Sequence, residues 1–488
     1  MEHRRILQNC NFGSRVAEEE IDELSSYFVR TGLWERVCAG QIDIVYGAKG
    51  AGKSAIHALL LANSDQFQST GVRVVCAERP RGTPVFRRLQ GREELSENEF
   101  MFLWQLYFLS LIDGILEKED VDSSRISHFL VSNGLSGPRT LPSVLQSIVR
   151  YVRQYFRAPS GVEATVNVDQ SGAATGVTGR ITFNEPATKD PDGVSIRSLL
   201  EFANQCLCDC GVTAWILLDR LDVAFAESLD TEKVALRALF RAYLDMLDLD
   251  AISPKIFLRT DIWTRITEEG FREGSHITRS ETITWDRDSL MNLVVRRLIA
   301  SGALCEHYQV EHADVLSDIR KQFRFFYRVF PEQIDLGTNQ AKTWDWILTR
   351  TVDGSRQYSP REVIHLLNEA RRCQLGQMAM GATEDLEDDG TLFARSAIRD
   401  SLNEVSRVRL NQTLYAEWPD IRSTVEQFRR EHATHDIESI VLLLDCSTAE
   451  AGHHVASLVR AGFLEPVGKN PARFRVPFLY RSALEIGP

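Results

Sequence analysis

Gly47-Ala48-Lys49-Gly50-Ala51-Gly52-Lys53-Ser54 fills every position of the pattern G-x-x-x-x-G-K-[ST]. The residue types follow from the task. Glycines let the main chain curl closely round phosphate oxygens with its N–H groups turned inward. A lysine at position 53 reaches β- and γ-phosphates, and a serine hydroxyl at 54 reaches a magnesium ion. By residue usage alone, such a match turns up in about one or two of every hundred chains of this length. The flanks argue against chance. Ile42-Asp43-Ile44-Val45-Tyr46 predicts a short buried strand that stops at Gly47, and the Ala/Leu-rich run from Lys53 to Leu61 predicts a helix. The positive end of that helix would face the loop. Gly47, Ala48, Lys49, Gly50, Ala51, Gly52, Lys53, Ser54 and Ala55 are therefore the candidate contacts of ATP, with Ser54 also a candidate Mg²⁺ ligand.

Working outward, Val72-Arg73-Val74-Val75-Cys76 reads as a second strand. The order strand, loop, helix, strand opens a parallel α/β sheet. Trp215-Ile216-Leu217-Leu218 is an apolar strand that ends in Asp219, the expected second magnesium anchor. Lys53 and Asp219 are candidate catalytic residues. Arg220, not glutamate, follows Asp219, so the position where many fast ATPases keep a water-activating carboxylate is filled by a cation. Asp222 is the nearest substitute. It either polarises water or caps the next helix, and slow turnover is the expectation. The strand Lys255-Ile256-Phe257-Leu258 ends in Arg259-Thr260, either of which is a candidate γ-phosphate sensor. Tyr358-Ser359-Pro360-Arg361 has a capping serine and a proline at the first helical position, which puts Arg361 on a first turn, within reach of phosphate or simply at a helix start.

Further helices are expected over about 96–118, 141–157, 194–209 and 231–248, a last short strand over 281–285, and a long helix from about Asp288. The stretch 159–193 is rich in Gly, Ser, Thr, Asp and Asn and contains two strand-like runs, so it reads as a β-hairpin or a disordered insertion. From about Asp288 to about 380 the chain reads as helices, and an acidic linker follows over 384–390. At the C-terminus a helix ending at Gly462 and a hairpin turning at Lys469–Arg473 read as a winged-helix-like segment. Arg460, Lys469, Arg473, Arg475 and Arg481 are its candidate nucleic-acid face, or part of a plain packing unit. The fold class expected is a P-loop parallel sheet flanked by helices, with a helical lid and that C-terminal domain. The divisions are 1–285, 286–383 and 391–488, with ATP at the carboxyl ends of the strands between sheet and lid.

Composition sets the limits. A formal net charge of −12 argues against a protein that coats nucleic acid over its whole surface. No run of 18 apolar residues appears, so no membrane span is expected. The charged N-terminus lacks an apolar stretch behind it, and the nine cysteines are scattered, which reads as reduced thiols in the cytoplasm. Cys206, Cys208 and Cys210 lack the paired spacing of a zinc site. Phe323, Phe325, Phe326, Tyr327 and Phe330 are either a base-stacking surface or core, and helical context favours core.

Taken together, the loop, the Asp-ended strand, the polar strand end, Ser359-Pro360-Arg361 and the winged segment resemble the AAA+-related STAND and KAP ATPases and the origin-recognition ATPases. A bacterial ATPase family near that branch is similar in Asn11-Phe12-Gly13, Tyr27-Phe28-Val29-Arg30-Thr31, Leu217-Leu218-Asp219-Arg220-Leu221-Asp222 and Phe257-Leu258-Arg259-Thr260-Asp261-Ile262-Trp263. The resemblance spans roughly 11–370. It implies ATP and Mg²⁺ binding, a helical lid, and a homo-oligomer or a separately encoded effector as partner, with relatives in antiviral defence loci. The rival expectation is a DNA-binding regulator whose nucleotide is a structural ligand.

Overall fold

A computed structural model describes residues 2–14, 20, 24, 27–77, 95–135, 141–157, 159–168, 174–183, 195–221, 228–268, 270–381, 391–468 and 473–487. The chain forms two compact units. One comprises Gly32–Gly47 and Lys53–Thr282, the other Met1–Thr31, Ala48–Gly52 and Ile283–Pro488.

The first unit is built on a sheet. Its strands are β1 (Ile44–Gly47), β2 (Val72–Cys76), β5 (Thr213–Leu218), β6 (Ile252–Arg259) and β7 (Ser280–Thr282), all parallel, in the order β2-β5-β6-β1-β7. The intervening β3 (Pro159–Val168) and β4 (Ala174–Phe183) pair only with each other, as an antiparallel hairpin. Both strands fall in the 159–193 stretch. β1 and β5 are buried along almost their whole length, as continuous apolar runs in a two-sided sheet should be. β6 starts earlier than its sequence suggests, because Pro254 lies inside it. The ladder to β1 begins only at Ile256, so the missing proline N–H costs no bond.

Helices cover both faces. The Glu97–Lys118 helix begins with a capping box at Ser96 and Glu99 and buries a nearly all-round apolar surface, including Trp104, Tyr107 and Phe108. It is long and apolar enough to cross a membrane, but most of it is sealed inside this unit; no other described helix passes that test. A buried ionic group pins the start of the sheet. Lys255 Nζ lies 2.7 Å from Asp43 Oδ1 and 2.9 Å from the Ile42 carbonyl, with Lys255 1% and Asp43 4% exposed. Tyr243, Ser253 and Arg279 also donate to Asp43.

The second unit is mainly helical. The Arg287–Ile299, Ile319–Val329, Pro360–Ala379 and Arg395–Val408 helices surround a core containing Phe325, Phe326, Phe330, Trp344 and Phe393. Phe326 and Phe330 stack at 4.5 Å, as do Phe330 and Phe393, so the aromatic run near 325 is core. Residues 1–31 group with this unit and not with the sheet. Ile6 and Leu7 of the Glu2–Asn9 helix are buried, and Arg371 donates to the Leu7 carbonyl. Arg297 enters the same region, bonding the Phe12 carbonyl and Glu20 and lying 4.2 Å over the Tyr27 ring.

The C-terminal part adds β8 (Thr434–Asp436), β9 (Glu465–Val467) and β10 (Arg473–Arg475) in the antiparallel order β8-β10-β9. The Ile437–Leu444 and Thr448–Arg460 helices lie between β8 and β9 in the chain. This strand-helix-helix-strand-strand order is the winged-helix-like arrangement. The acidic linker at 384–390 lies outside the described residues.

Candidate functional site

β1 ends at Gly47, and the Lys53–Ala62 helix begins six residues later. Between them the chain turns through Gly50 at φ +81° and Gly52 at φ +105°, left-handed conformations that favour glycine. Lys53 opens the helix, and Ser54 and Ala55 follow on its first turn, where backbone N–H groups are unpaired by the helix itself and attract anions. Lys53 Nζ donates to the Gly47 carbonyl at 2.8 Å, which closes the loop across its base.

Three groups of the helical unit hold Ala48–Gly52. Trp285 Nε1 donates to the Ala51 carbonyl at 2.8 Å. A Cβ at Gly50 would stand 2.8 Å from both Ser359 Oγ and Arg361 Cβ, so the Ser-Pro-Arg segment packs directly on the loop. Lys49 forms an ion pair with Glu417. The sequence held no signal for Trp285 or Glu417, because neither belongs to a spaced motif.

On the sheet, Leu218, Ile256 and Ile44 stand level across β5, β6 and β1. Asp219 therefore emerges just past the end of β5, two strand spacings from β1, or about 10 Å. Its side chain is 5% exposed and has no hydrogen-bond or ion-pair partner among the described residues. A buried carboxylate in that condition calls for a cation. Arg220, directly after it, takes φ +57°, a strained value for a residue with a Cβ. Asp222 lies outside the described residues.

β6 ends between them. The Arg259 guanidinium grips Asp261 with bonds of 3.0 and 2.8 Å. Burial pushes the Asp261 carboxyl up, and the Arg259 hydrogen bonds outweigh this and hold it below its ordinary range. Thr260 differs: its hydroxyl is buried and has no partner among the described residues. A buried, unmatched hydroxyl costs free energy unless something binds it. Arg361 sits on the first turn of the Pro360–Ala379 helix, whose N-cap is Ser359. The Ser359 hydroxyl is likewise buried and unpartnered among the described residues.

These features fit a nucleotide and its magnesium ion: a glycine loop after β1, a buried acid after β5 that has no counterion among the described residues, and a buried hydroxyl after β6. The strand order, the glycine loop and the Asp-ended strand make the sheet a P-loop NTPase fold. No protein-family model matches the chain, and no curated protein matches it. Among solved structures the chain is similar to the ORC2 protein of Aeropyrum pernix in its ADPNP–ADP complexes, at 10% identity over 93% of this chain and 91% of that one, with a TM-score of 0.40. It is also similar to the ADP form of that protein, at 12% identity over 96% and 91%, with a TM-score of 0.29.

Two of the four described residues of the candidate nucleic-acid face are engaged internally. Arg475 pairs with Glu465 at 2.9 Å, and Arg481 donates to the Val476 carbonyl and lies over the Phe478 ring. Arg473 and Arg460 are exposed, and Lys469 lies outside the described residues.

Proposed function

We propose that this chain binds ATP with Mg²⁺ on Gly47–Ser54 and hydrolyses it slowly, acting in the cytoplasm as a nucleotide-driven switch or assembly scaffold. The observation that carries the reading is the unpartnered, buried Asp219 on the strand two places from the glycine loop. In this reading the loop N–H groups and Lys53 hold the phosphates, and Ser54 and Asp219 hold the magnesium ion, which supplies charge neutralisation at the phosphates. Thr260 is the group that meets the γ-phosphate, because its hydroxyl has no partner among the described residues, whereas the Arg259 fork is engaged by Asp261. Arg361 reads the phosphates from beside Gly50. Asp222 is retained as the candidate base.

Slow turnover follows from Arg220. The position after Asp219 offers no carboxylate, and its left-handed backbone turns it off the line of the strand. A switch of this kind acts through a partner, either a second copy or a separately encoded effector, as the resemblance to STAND-like and origin-recognition ATPases implies. The test is light scattering of the full chain with ATP, with ADP and without nucleotide, alone and with candidate effectors. Assembly that changes with ATP supports the switch, and a fast steady-state turnover with no change of assembly contradicts it.

A further inference from the structure

The Arg395–Val408 helix runs directly into a π-wound turn, Arg409–Leu414, followed by the short Tyr415–Glu417 helix. π-helical turns are rare, are held at an energetic cost and cluster at functional sites. Both ends of this one make ion pairs. At its start, Arg409 donates to Asp353 at 2.7 Å and to Glu362 at 3.1 Å, with all three side chains largely buried. Glu362 is the neighbour of Arg361, which packs on Gly50. Just beyond its end, Glu417 pairs with Lys49 in the loop itself. Asp353 leads onward: the next residue, Gly354, donates to the Gly462 carbonyl at 2.7 Å, and Glu465 on β9 joins Arg356 and Arg475.

We infer that Arg409–Glu417 is a transmission element, with Glu417 as a positioning residue that reads the state of the phosphate loop through Lys49 and passes it through Arg409 to the β9–β10 wing. The inference rests on the ATP reading above. Its physics is competition for one ammonium group. A polyphosphate in the loop attracts Lys49 and repels the Glu417 carboxylate, so ATP favours the arrangement in which that pair is open. By reciprocity, the closed pair opposes ATP. The π-wound turn is the element with a second arrangement available, since regular α-winding of the same residues re-aims Arg409 and Glu417 relative to each other.

The experiment uses the full chain, with calorimetric titration of ATP·Mg²⁺ and hydrogen exchange of amides 409–417 and 473–475. Glu417→Gln keeps the shape and removes the competing charge. It should bind ATP at least about fivefold more tightly, the lower end of typical coupling between sites. Without nucleotide, it should also show the faster exchange that the wild type shows only with ATP. Lys49→Met should weaken ATP binding by removing a cation from the loop while the Glu417 charge stays, and the double variant should recover part of it. Equal affinities and an unchanged exchange response in Glu417→Gln would overturn the inference while leaving ATP binding intact. A wild-type chain that does not bind ATP would instead remove the reading on which the inference stands.

Discussion

Arg259 and Asp261 are locked together by two parallel hydrogen bonds at the end of β6, while the hydroxyl of Thr260 between them is buried with no partner among the described residues. From the sequence both Arg259 and Thr260 were sensor candidates, and the proposed reading gives the γ-phosphate to Thr260. Thr260→Val replaces the hydroxyl with a methyl group of similar size. It should leave folding stability unchanged or slightly raised, since a buried unmatched group is lost, and should lower ATP hydrolysis by tenfold or more. Single-turnover hydrolysis together with thermal unfolding checks both halves.

The same pair gives a pH dependence. The Asp261 carboxyl is held below its ordinary value of 3.8 in the folded chain. A group lowered on folding stabilises the fold above its unfolded value and loses that contribution as pH falls through the folded one. Stability should therefore decline below about pH 4, and Asp261→Asn should flatten that part of the curve. Denaturant unfolding from pH 5 to pH 2 measures it, on a side chain exposed enough that the effect is modest.

Gly50→Ala adds a Cβ at φ +81° that would lie 2.8 Å from Ser359 Oγ and Arg361 Cβ. Backbone strain of about 1–2 kcal/mol adds to the clash. The variant should lose ATP affinity and melt lower than the parent. Equal affinity in the variant would mean that the Ser-Pro-Arg segment does not constrain the loop.

Lys255→Met removes one of the two cations on the buried Asp43 and leaves Arg279 as the other. The expected loss of stability is measurable but smaller than about 3–5 kcal/mol, the usual cost of breaking a buried pair from one side. The pair sits where β1 begins, at the opposite end of the strand from Gly47, so ATP affinity should be unchanged in the folded fraction. Urea unfolding and ATP titration of the same sample separate the two effects.

Much of this was legible in the sequence. β1 and β5 were readable because each is an unbroken apolar run closed by a residue of a different kind, Gly47 and Asp219. The helices from Glu97, Ile196 and Leu229 were placed to within about three residues by periodicity. What was not legible depends on distance in the chain. Glu417 meets Lys49 only through the tertiary fold, and the π-wound turn has no periodic signal of its own. Lys255 looks like an exposed strand residue until Asp43 is set beside it. The Glu2–Asn9 helix was missed because only Ile6 and Leu7 are apolar, too few to show a period. Arg220 announced the absence of a glutamate, but its left-handed backbone was visible only in the structure. That geometry gives one more expectation: Arg220→Glu should raise steady-state turnover by less than about twofold, and a tenfold rise, equivalent to about 1.4 kcal/mol, would contradict it.

Calorimetric titration of ATP with and without Mg²⁺, on the wild type, Lys53→Ala and Asp219→Ala, tests the central claim most directly. The account predicts tight binding by the wild type that strengthens with Mg²⁺, no measurable binding by Lys53→Ala, and binding by Asp219→Ala that Mg²⁺ no longer strengthens. Wild-type chain that ignores ATP, or Lys53→Ala that binds it as well as the parent, would contradict the assignment of the loop.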